Sequence, residues 1–414
     1  MKKSIILLLI TLFTGNLLTS CSFFQGNTAT LWTNKAEIVA YIEVYNADRE
    51  NNKIEVTYKP QPSIALMNEE HHPDMIVDTQ LDSVSVFQDL SSLNKLFEDE
   101  LLSEDIFYSG LLELGNYEET QYLLPVSFSI PTLMFNTVNI PGELNNFFIT
   151  IEELKTYGGE FNTIEDESFI TMGFSPDWSR DFLMVTTSLF GAEFRETAAG
   201  RLAWNKQKLE EAVTYNRDWI AEVNTSQELV TQFSEKYMYD PDYKLLNNGR
   251  ILFSFTELQN YLQIPQEKRE NLGFRWLAKG EKIRVRDDIL FFGVTKKSKN
   301  RAVVDDFISW FFSLKTQQKL LEMSQFKRMR SFGISNGFSS LYEVNERIFP
   351  QFYPNLSGHV PPEEFLTYPH RLPIIWPEIK DQVLESWLLQ SVREETGADF
   401  EEELETWMRQ RPGQ

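Results

Sequence analysis

Cysteine, histidine and basic residues are all scarce in this chain of 414 residues. A single cysteine, Cys21, leaves no partner for an internal disulfide. Lys and Arg number 39 against 61 Asp and Glu, a formal net charge of −22. Nucleic-acid binding needs clustered cations to neutralise phosphates, so that class is excluded. The same charge repels anionic lipid headgroups and favours solubility, and says little about substrate. The patterns Gly-x-Ser-x-Gly and Gly-x-x-x-x-Gly-Lys-Ser/Thr are missing, and with them two common catalytic and phosphate-binding signatures. There is no internal repeat and no low-complexity stretch. Long apolar runs are missing too. The one at residues 5–13, broken only by Thr11, is about half the length a bilayer span requires.

What is there begins with a leader. Lys2 and Lys3 precede that apolar run, as in a secretion signal. The next residues, Leu18-Thr19-Ser20-Cys21, resemble the lipobox of bacterial lipoproteins. The resemblance implies cleavage before Cys21, acylation of its sulfur and a lipid anchor on a membrane of the cell envelope, facing the periplasm or exterior. At roughly 0.8 kcal/mol per buried methylene, several acyl chains hold a protein firmly. The alternative is an ordinary signal peptide followed by a free or buried cysteine. Loss of residues 1–20 removes Lys2 and Lys3 and takes the formal charge from −22 to −24. With Cys21 acylated, no thiol remains for catalysis or metal binding.

Beyond a short tether at 21–27, strand and helix patterns alternate. Residues 28–32 read as a strand and 36–49 as a helix with Ile38, Ile42 and Tyr45 on one face. Residues 53–58 alternate Ile54, Val56 and Tyr58 like a half-buried strand. Residues 74–78 hold a short apolar centre between two acids, like a buried parallel strand. This β-α-β-β order predicts an α/β domain. Thr150, with Glu153 three residues on, is a capping box opening a helix. Segments 182–190 and 206–222 also read as helices. Strands are predicted at 251–255 and 289–294, then a helix over 302–323 with Phe307, Trp310, Phe311 and Leu314 on its inner face. A longer helix is expected at 378–394 and an amphipathic one at 400–409. The length beyond the leader suits two domains.

No catalytic constellation stands out. His71-His72 lies beside Glu69, Glu70 and Asp74, yet matches no helical metal-ligand spacing and reads as a solvated loop. The acid pairs Asp287-Asp288 and Asp305-Asp306 read as helix-start acids or solvated faces. A glycosidase would need two carboxylates facing each other across a cleft. Neither a metal nor a cofactor is called for.

The order of elements resembles the extracellular solute-binding proteins of ABC importers, in the group that binds sugars and related solutes. Leu31-Trp32-Thr33 is similar to that family's first strand. Leu124-Pro125 through Pro131-Thr132-Leu133-Met134-Phe135-Asn136 is similar to its Leu-Pro…Pro-x-Leu-Tyr-Tyr-Asn passage between lobes. Thr150 to Leu154 resembles its Thr-Trp-Asp-Glu-Leu helix start, and Gly191-Ala192 its Gly-Ala pair. Gly249-Arg250-Ile251-Leu252 stands where the family has Gly-Lys-Ala-Ala-Met, with Leu252 and Phe253 in place of small residues. Phe292-Gly293-Val294 to Trp310 resembles its strand, Ser-Lys-Asn turn and Trp-bearing helix. The turn after the first strand is shorter than in many sugar binders, with Asn34 and Lys35 leading directly into the helix.

The resemblance implies an α/β two-lobe periplasmic-binding-protein fold of the class II type, with three crossovers near 126–132, 254–262 and 324–334. The first lobe would hold 28–126 and 263–323, the second 133–253 and 335–414. It implies a non-enzymatic, monomeric carrier that captures a carbohydrate between its lobes and delivers it to an ABC permease in the membrane. Sugars stack an apolar face on an aromatic plane while carboxylates, amides and Arg hold their hydroxyls. Strand ends and crossovers then offer Trp32, Thr33 and Asn34, Asp78 and Thr79, Ser127 and Phe128, and Phe255 and Glu257. Trp178 and Trp376 lie outside the core periodicity beside helix-breaking prolines. Trp376 also stands at the segment where related sugar binders place a stacking Trp. Trp310 fits a core stripe instead. Two other classes stay open on the residues alone: a lipid-anchored hydrolase or glycosidase, and a surface adhesin that kept the scaffold.

Overall fold

The computed structural model describes residues 27–393 and 399–411. The leader, Cys21 and nearly all of the tether lie outside them.

Strand β1 (Thr28–Thr33) enters helix α1 (Ala36–Ala47), which buries Ile38, Tyr41, Ile42 and Tyr45 at helical spacing. Strand β2 (Lys53–Tyr58) pairs in parallel with β1. A helix that the sequence reading lacks, α2 (Pro62–Asn68), then starts with proline at its first position. Strand β3 (Met75–Asp78), wholly buried, is also parallel to β1. Strands β4 (Leu123–Phe128) and β5 (Thr132–Asn136) follow, then β6 (Phe148–Thr150) leading into α3 (Ile151–Phe161). The capping box is present: Thr150 Oγ1 accepts from Glu153 N–H at 3.1 Å, and the Glu153 carboxylate accepts from Thr150 N–H at 2.8 Å. The remaining strands of the two main sheets are β7 (Phe253–Thr256), β8 (Leu272–Lys279), β9 (Lys282–Arg284), β10 (Leu290–Val294), β11 (Phe338–Ser339) and β12 (Leu366–Thr367).

These strands form two sheets, one per lobe. The first runs β11-β4-β10-β3-β1-β2, and the second β7-β5-β8-β9-β12 with β6 on β8. The chain leaves the first sheet between β4 and β5, returns between β9 and β10, and leaves again between β11 and β12. The expected crossing near 254–262 is therefore displaced to 285–289. Strand β8 is the reason: it pairs antiparallel with β5 from Leu272–Asn136 to Trp276–Thr132, so the start of the 263–323 segment belongs to the second sheet. Buried Leu272, Phe274 and Trp276 alternate there with less buried Gly273 and Arg275, a strand pattern. The crossing expected at 324–334 likewise falls later, because β11 still pairs with β4.

Helices cover each sheet with aromatic cores. In the first lobe Tyr45 meets Phe307 edge-on at 5.2 Å and Trp310 at 5.3 Å. The helix expected over 302–323 is two helices, Arg301–Phe311 and Leu314–Phe326. Ser313 breaks it by capping the second, accepting from Thr316 N–H at 3.2 Å. In the second lobe Phe174 packs on Phe182 at 4.8 Å and Trp219 at 5.7 Å. There α3 lies so close to Gly173 that a Cβ on it would sit 2.3 Å from Gly158 Cα. The long C-terminal helix starts at Trp376–Ile379, passes a π-helical stretch (Lys380–Leu384) and continues as Glu385–Arg393. The last helix is Phe400–Gln410.

Candidate ligand-binding site

A cavity of about 190 Å³ opens between the lobes. Three pieces of chain build it. The turn after β3 supplies Thr79, Gln80 and Asp82 from the first lobe. The crossing between β9 and β10 supplies Asp287 and Asp288. The start of the C-terminal helix and the turn before it supply Leu372, Pro373, Ile374, Trp376, Pro377, Lys380 and Asp381 from the second. A recess of about 40 Å³ adjoins it and shares Asp287, Trp376 and Lys380.

Trp376 is fixed from several sides. Its backbone N–H donates to Pro373 O at 2.7 Å, and Pro377 follows at the helix start. Its ring packs at 5.1 Å from Phe194 and is 5% exposed. Its indole Nε1–H donates to Asp287 Oδ2 at 2.6 Å. Lys380 Nζ holds the other oxygen, Oδ1, at 2.9 Å. Burial pushes the Asp287 carboxyl up, but Lys380, the Trp376 N–H and the nearby Arg286 charge bring it below the usual carboxylate range. Burial also works against the Lys380 ammonium, and Asp287 more than offsets it. Arg286 makes a two-pronged pair with Asp181 at 2.6 and 2.8 Å. Asp287 was expected at a helix start or on a solvated face; it instead anchors this wall, because Lys380 and Trp376 fold onto it.

Asp82 faces the other way in its electrostatics. Burial, with Glu196 and Asp287 nearby, pushes its carboxyl up to about 7, against its own backbone N–H and Arg371. Asp288 accepts from Ser129 Oγ at 2.8 Å and lies at the exposed hinge side of the cavity. With Asp381, the lining carries four carboxylates and one ammonium. One indole beside a rim of carboxylates offers hydrogen-bond acceptors to hydroxyl or ammonium groups of a small molecule.

Among the residues singled out from sequence, Thr79 and Trp376 line this cavity. Trp32, Thr33 and Asn34 do not border it. Trp32 is buried in β1 with Lys59 Nζ 4.4 Å above its ring, Thr33 Oγ1 accepts from Lys35 N–H, and Asn34 Nδ2 donates to Pro60 O. Asp78 is buried and accepts from Ser63 N–H at 3.0 Å and Ser63 Oγ at 2.8 Å, so it serves the start of α2. Ser127 and Phe128 are buried, the latter edge-on to Tyr108 at 5.3 Å. Trp178 is no loop-presented aromatic: the Pro176–Trp178 turn lays its ring parallel to Phe233 at 5.8 Å inside the second lobe. Phe255 packs edge-on against Phe182 at 5.4 Å. Glu257 lines a separate hollow of about 60 Å³ with Ser129, Asp288 and Phe338. Asp82, Asp287 and Lys380 also line the cavity and are not among the residues singled out from sequence. The Asp287-Asp288 pair was visible, but nothing in sequence brings Lys380 to it.

Two sets of contacts close the lobes on each other. Glu196, from the second lobe, accepts from Ser83 Oγ at 3.0 Å and from Val84 N–H at 2.8 Å in the first. Arg371 donates to the carbonyls of Leu114 and Asn116, with its guanidinium 5.3 Å from the Tyr117 ring centre and 5.7 Å from that of Phe87. Further along, Glu363 accepts from Ser109 N–H and Oγ at 2.7 and 2.8 Å, and Tyr368 lies against Gly110.

Comparison with solved structures identifies this architecture. The sugar-binding protein MalE from Xanthomonas citri matches with a TM-score of 0.65 at 11% identity, covering 93% of this chain and all (100%) of that one. A sugar transporter protein from Rhizobium etli in an open conformation matches with a TM-score of 0.64 at 15% identity, covering 92% and 99%. A protein named CpMnBP1, solved with mannotriose bound, matches with a TM-score of 0.60 at 15% identity, covering 92% and 98%. No protein-family model and no curated protein matches the sequence. The likeness defines the class: this chain has the two-lobe fold of periplasmic binding proteins. Each match spans almost the whole of both chains, so both lobes take part in it.

Proposed function

We propose that this protein is the substrate-binding component of an ABC importer and captures a carbohydrate between its lobes. The observation that carries the reading is the interlobe cavity, whose lining holds Trp376, fixed by its bond to Asp287, together with the carboxylates Asp82 and Asp288. The fold is that of proteins whose solved complexes hold mannotriose and maltotetraose. Ligand contacts to both lobes favour the closed arrangement, which then docks on a membrane permease. The capture is non-covalent and the carrier acts as a monomer. Cys21 carries the lipid that keeps it at the cell envelope.

A panel of mono- and oligosaccharides, amino acids and polyamines tests the reading by thermal shift. A cognate sugar at about 100 times its Kd should stabilise the protein by about 2.7 kcal/mol. It should also reduce the radius of gyration in small-angle scattering. Stabilisation by a polyamine or amino acid alone would overturn the carbohydrate assignment, and release of new reducing ends would indicate a hydrolase. For the anchor, Cys21→Ala should abolish incorporation of labelled palmitate. Equal labelling of wild type and variant would refute lipidation at Cys21.

A further inference from the structure

The recess of about 40 Å³ beside the cavity carries a charge that its own walls leave unmatched. Its charged lining is Asp181 and Asp287 against Arg284, Arg286 and Lys380. Both carboxylates are already taken. Asp181 accepts two hydrogen bonds from Arg286, and Asp287 accepts from Lys380 and from the Trp376 N–H. Arg284 is left over. It ends β9, is half-buried, and makes no hydrogen bond or ion pair within 4.0 Å among the described residues. Burial works against its charge, while Asp287 and Glu193 support it only from beyond ion-pair distance. The Nε–H of Arg286, in the same lining, is also buried without a partner among the described residues. A guanidinium drawn out of water without an acceptor is costly, so the vacant donors of Arg284 call for an anion. The size of the recess limits that anion. One water needs about 10–15 Å³ of such space, so about 40 Å³ takes roughly three heavy atoms, those of a single carboxylate. Guanidinium and carboxylate also match in shape, as two parallel N–H···O bonds. The recess and the cavity share Asp287, Leu372, Trp376 and Lys380 in their linings. The cavity lining is acidic, so an acid group on a ligand is repelled there and attracted beside Arg284.

We infer that the recess binds one carboxylate, with Arg284 as its partner, and that the protein therefore selects an acidic sugar, a uronate, over the neutral parent sugar. This rests on the carbohydrate reading above and names the class of sugar. The two spaces orient such a ligand: its hydroxyls suit the acceptors of the cavity, and its acid end suits Arg284.

The test is isothermal calorimetry on wild type, Arg284→Gln and Arg284→Lys. The probes are glucose with glucuronate, galactose with galacturonate, mannose with mannuronate, and acetate as the carboxylate alone. In the pair that binds, wild type should take the uronate at least tenfold more tightly than its neutral parent. Arg284→Gln should bring that ratio below about threefold by weakening the uronate. Arg284→Lys, which keeps the charge without the fork, should keep part of the preference. Melting midpoints without ligand check that both variants fold. Acetate binding that is lost in Arg284→Gln, with no preference for a uronate, would keep the carboxylate site but overturn its link to the sugar. No uronate preference and no acetate binding would overturn the site itself. A preference that persists in Arg284→Gln would overturn the role of Arg284. Each of these leaves the carbohydrate reading intact. Binding of none of these sugars would overturn the uronate assignment, and the carbohydrate reading falls only if the oligosaccharides of the panel above fail as well.

Discussion

Replacing Asp82 with asparagine should make the protein more stable near neutral pH, although Asp82 lines the cavity. Its carboxyl is pushed up to about 7 by burial and by Glu196 and Asp287, with its own backbone N–H and Arg371 opposing. In the unfolded chain the same group titrates near its ordinary value of 3.8. Between these two values the folded state holds more protons than the unfolded state, so stability falls as pH rises from about 4 to about 7. Below that window the carboxyl costs nothing; above it the full cost is present. At 1.36 kcal/mol per pH unit, the span from 3.8 to about 7 gives a ceiling of roughly 4 kcal/mol. Part of the side chain faces the cavity, where water screens it, so about 2 kcal/mol is expected. Asparagine keeps the shape and removes the charge. Urea unfolding followed by tryptophan fluorescence, at about pH 4 and about pH 8, should show the gain at the higher pH only. Glu196 is also held above its usual range, chiefly by burial, so the variant should keep a smaller slope of the same sign. No gain at about pH 8, or an equal gain at about pH 4, would refute this account of Asp82.

Three further outcomes are expected. Asp287→Asn and Lys380→Met should each destabilise by about 2–3 kcal/mol, less than a fully buried pair because the two side chains are 20% and 17% exposed. The double variant should lose far less than the sum, as a double-mutant cycle in urea would reveal. Trp376→Phe keeps a ring against Phe194 but removes the N–H that Asp287 accepts, and should cost about 1.5–3 kcal/mol by the same assay. Gly110→Ala would place a methyl 2.1 Å from the Tyr368 ring, so the lobes should not reach this closed geometry. Small-angle scattering with saturating sugar should then give a larger radius of gyration than wild type.

The sequence by itself determined most of the local structure. Helical spacing of Ile38, Ile42 and Tyr45 and the Thr150–Glu153 capping box are each visible in a short window, and the structure has them where they are expected. The alternation in β2 holds only in part: Ile54 is buried, but Tyr58 is 68% exposed. These features depend on neighbours within one or two turns, so a linear reading can find them. The ordered motifs also point to two lobes. What only tertiary structure decided are the long-range choices. Strand β8 joins the second sheet because its buried face matches β5, and this moves a crossing to 285–289. Trp178 and Trp376 look alike in sequence, each beside a proline. One is packed against Phe233 in a lobe core, and the other is turned to the cleft by its bond to Asp287. Asp78 and Asp82 lie four residues apart, yet Ser63 occupies the first while the second borders the cavity. The physical reason is the same throughout: the role of a carboxylate or an indole is set by which distant partner desolvates it and which satisfies its hydrogen bonds.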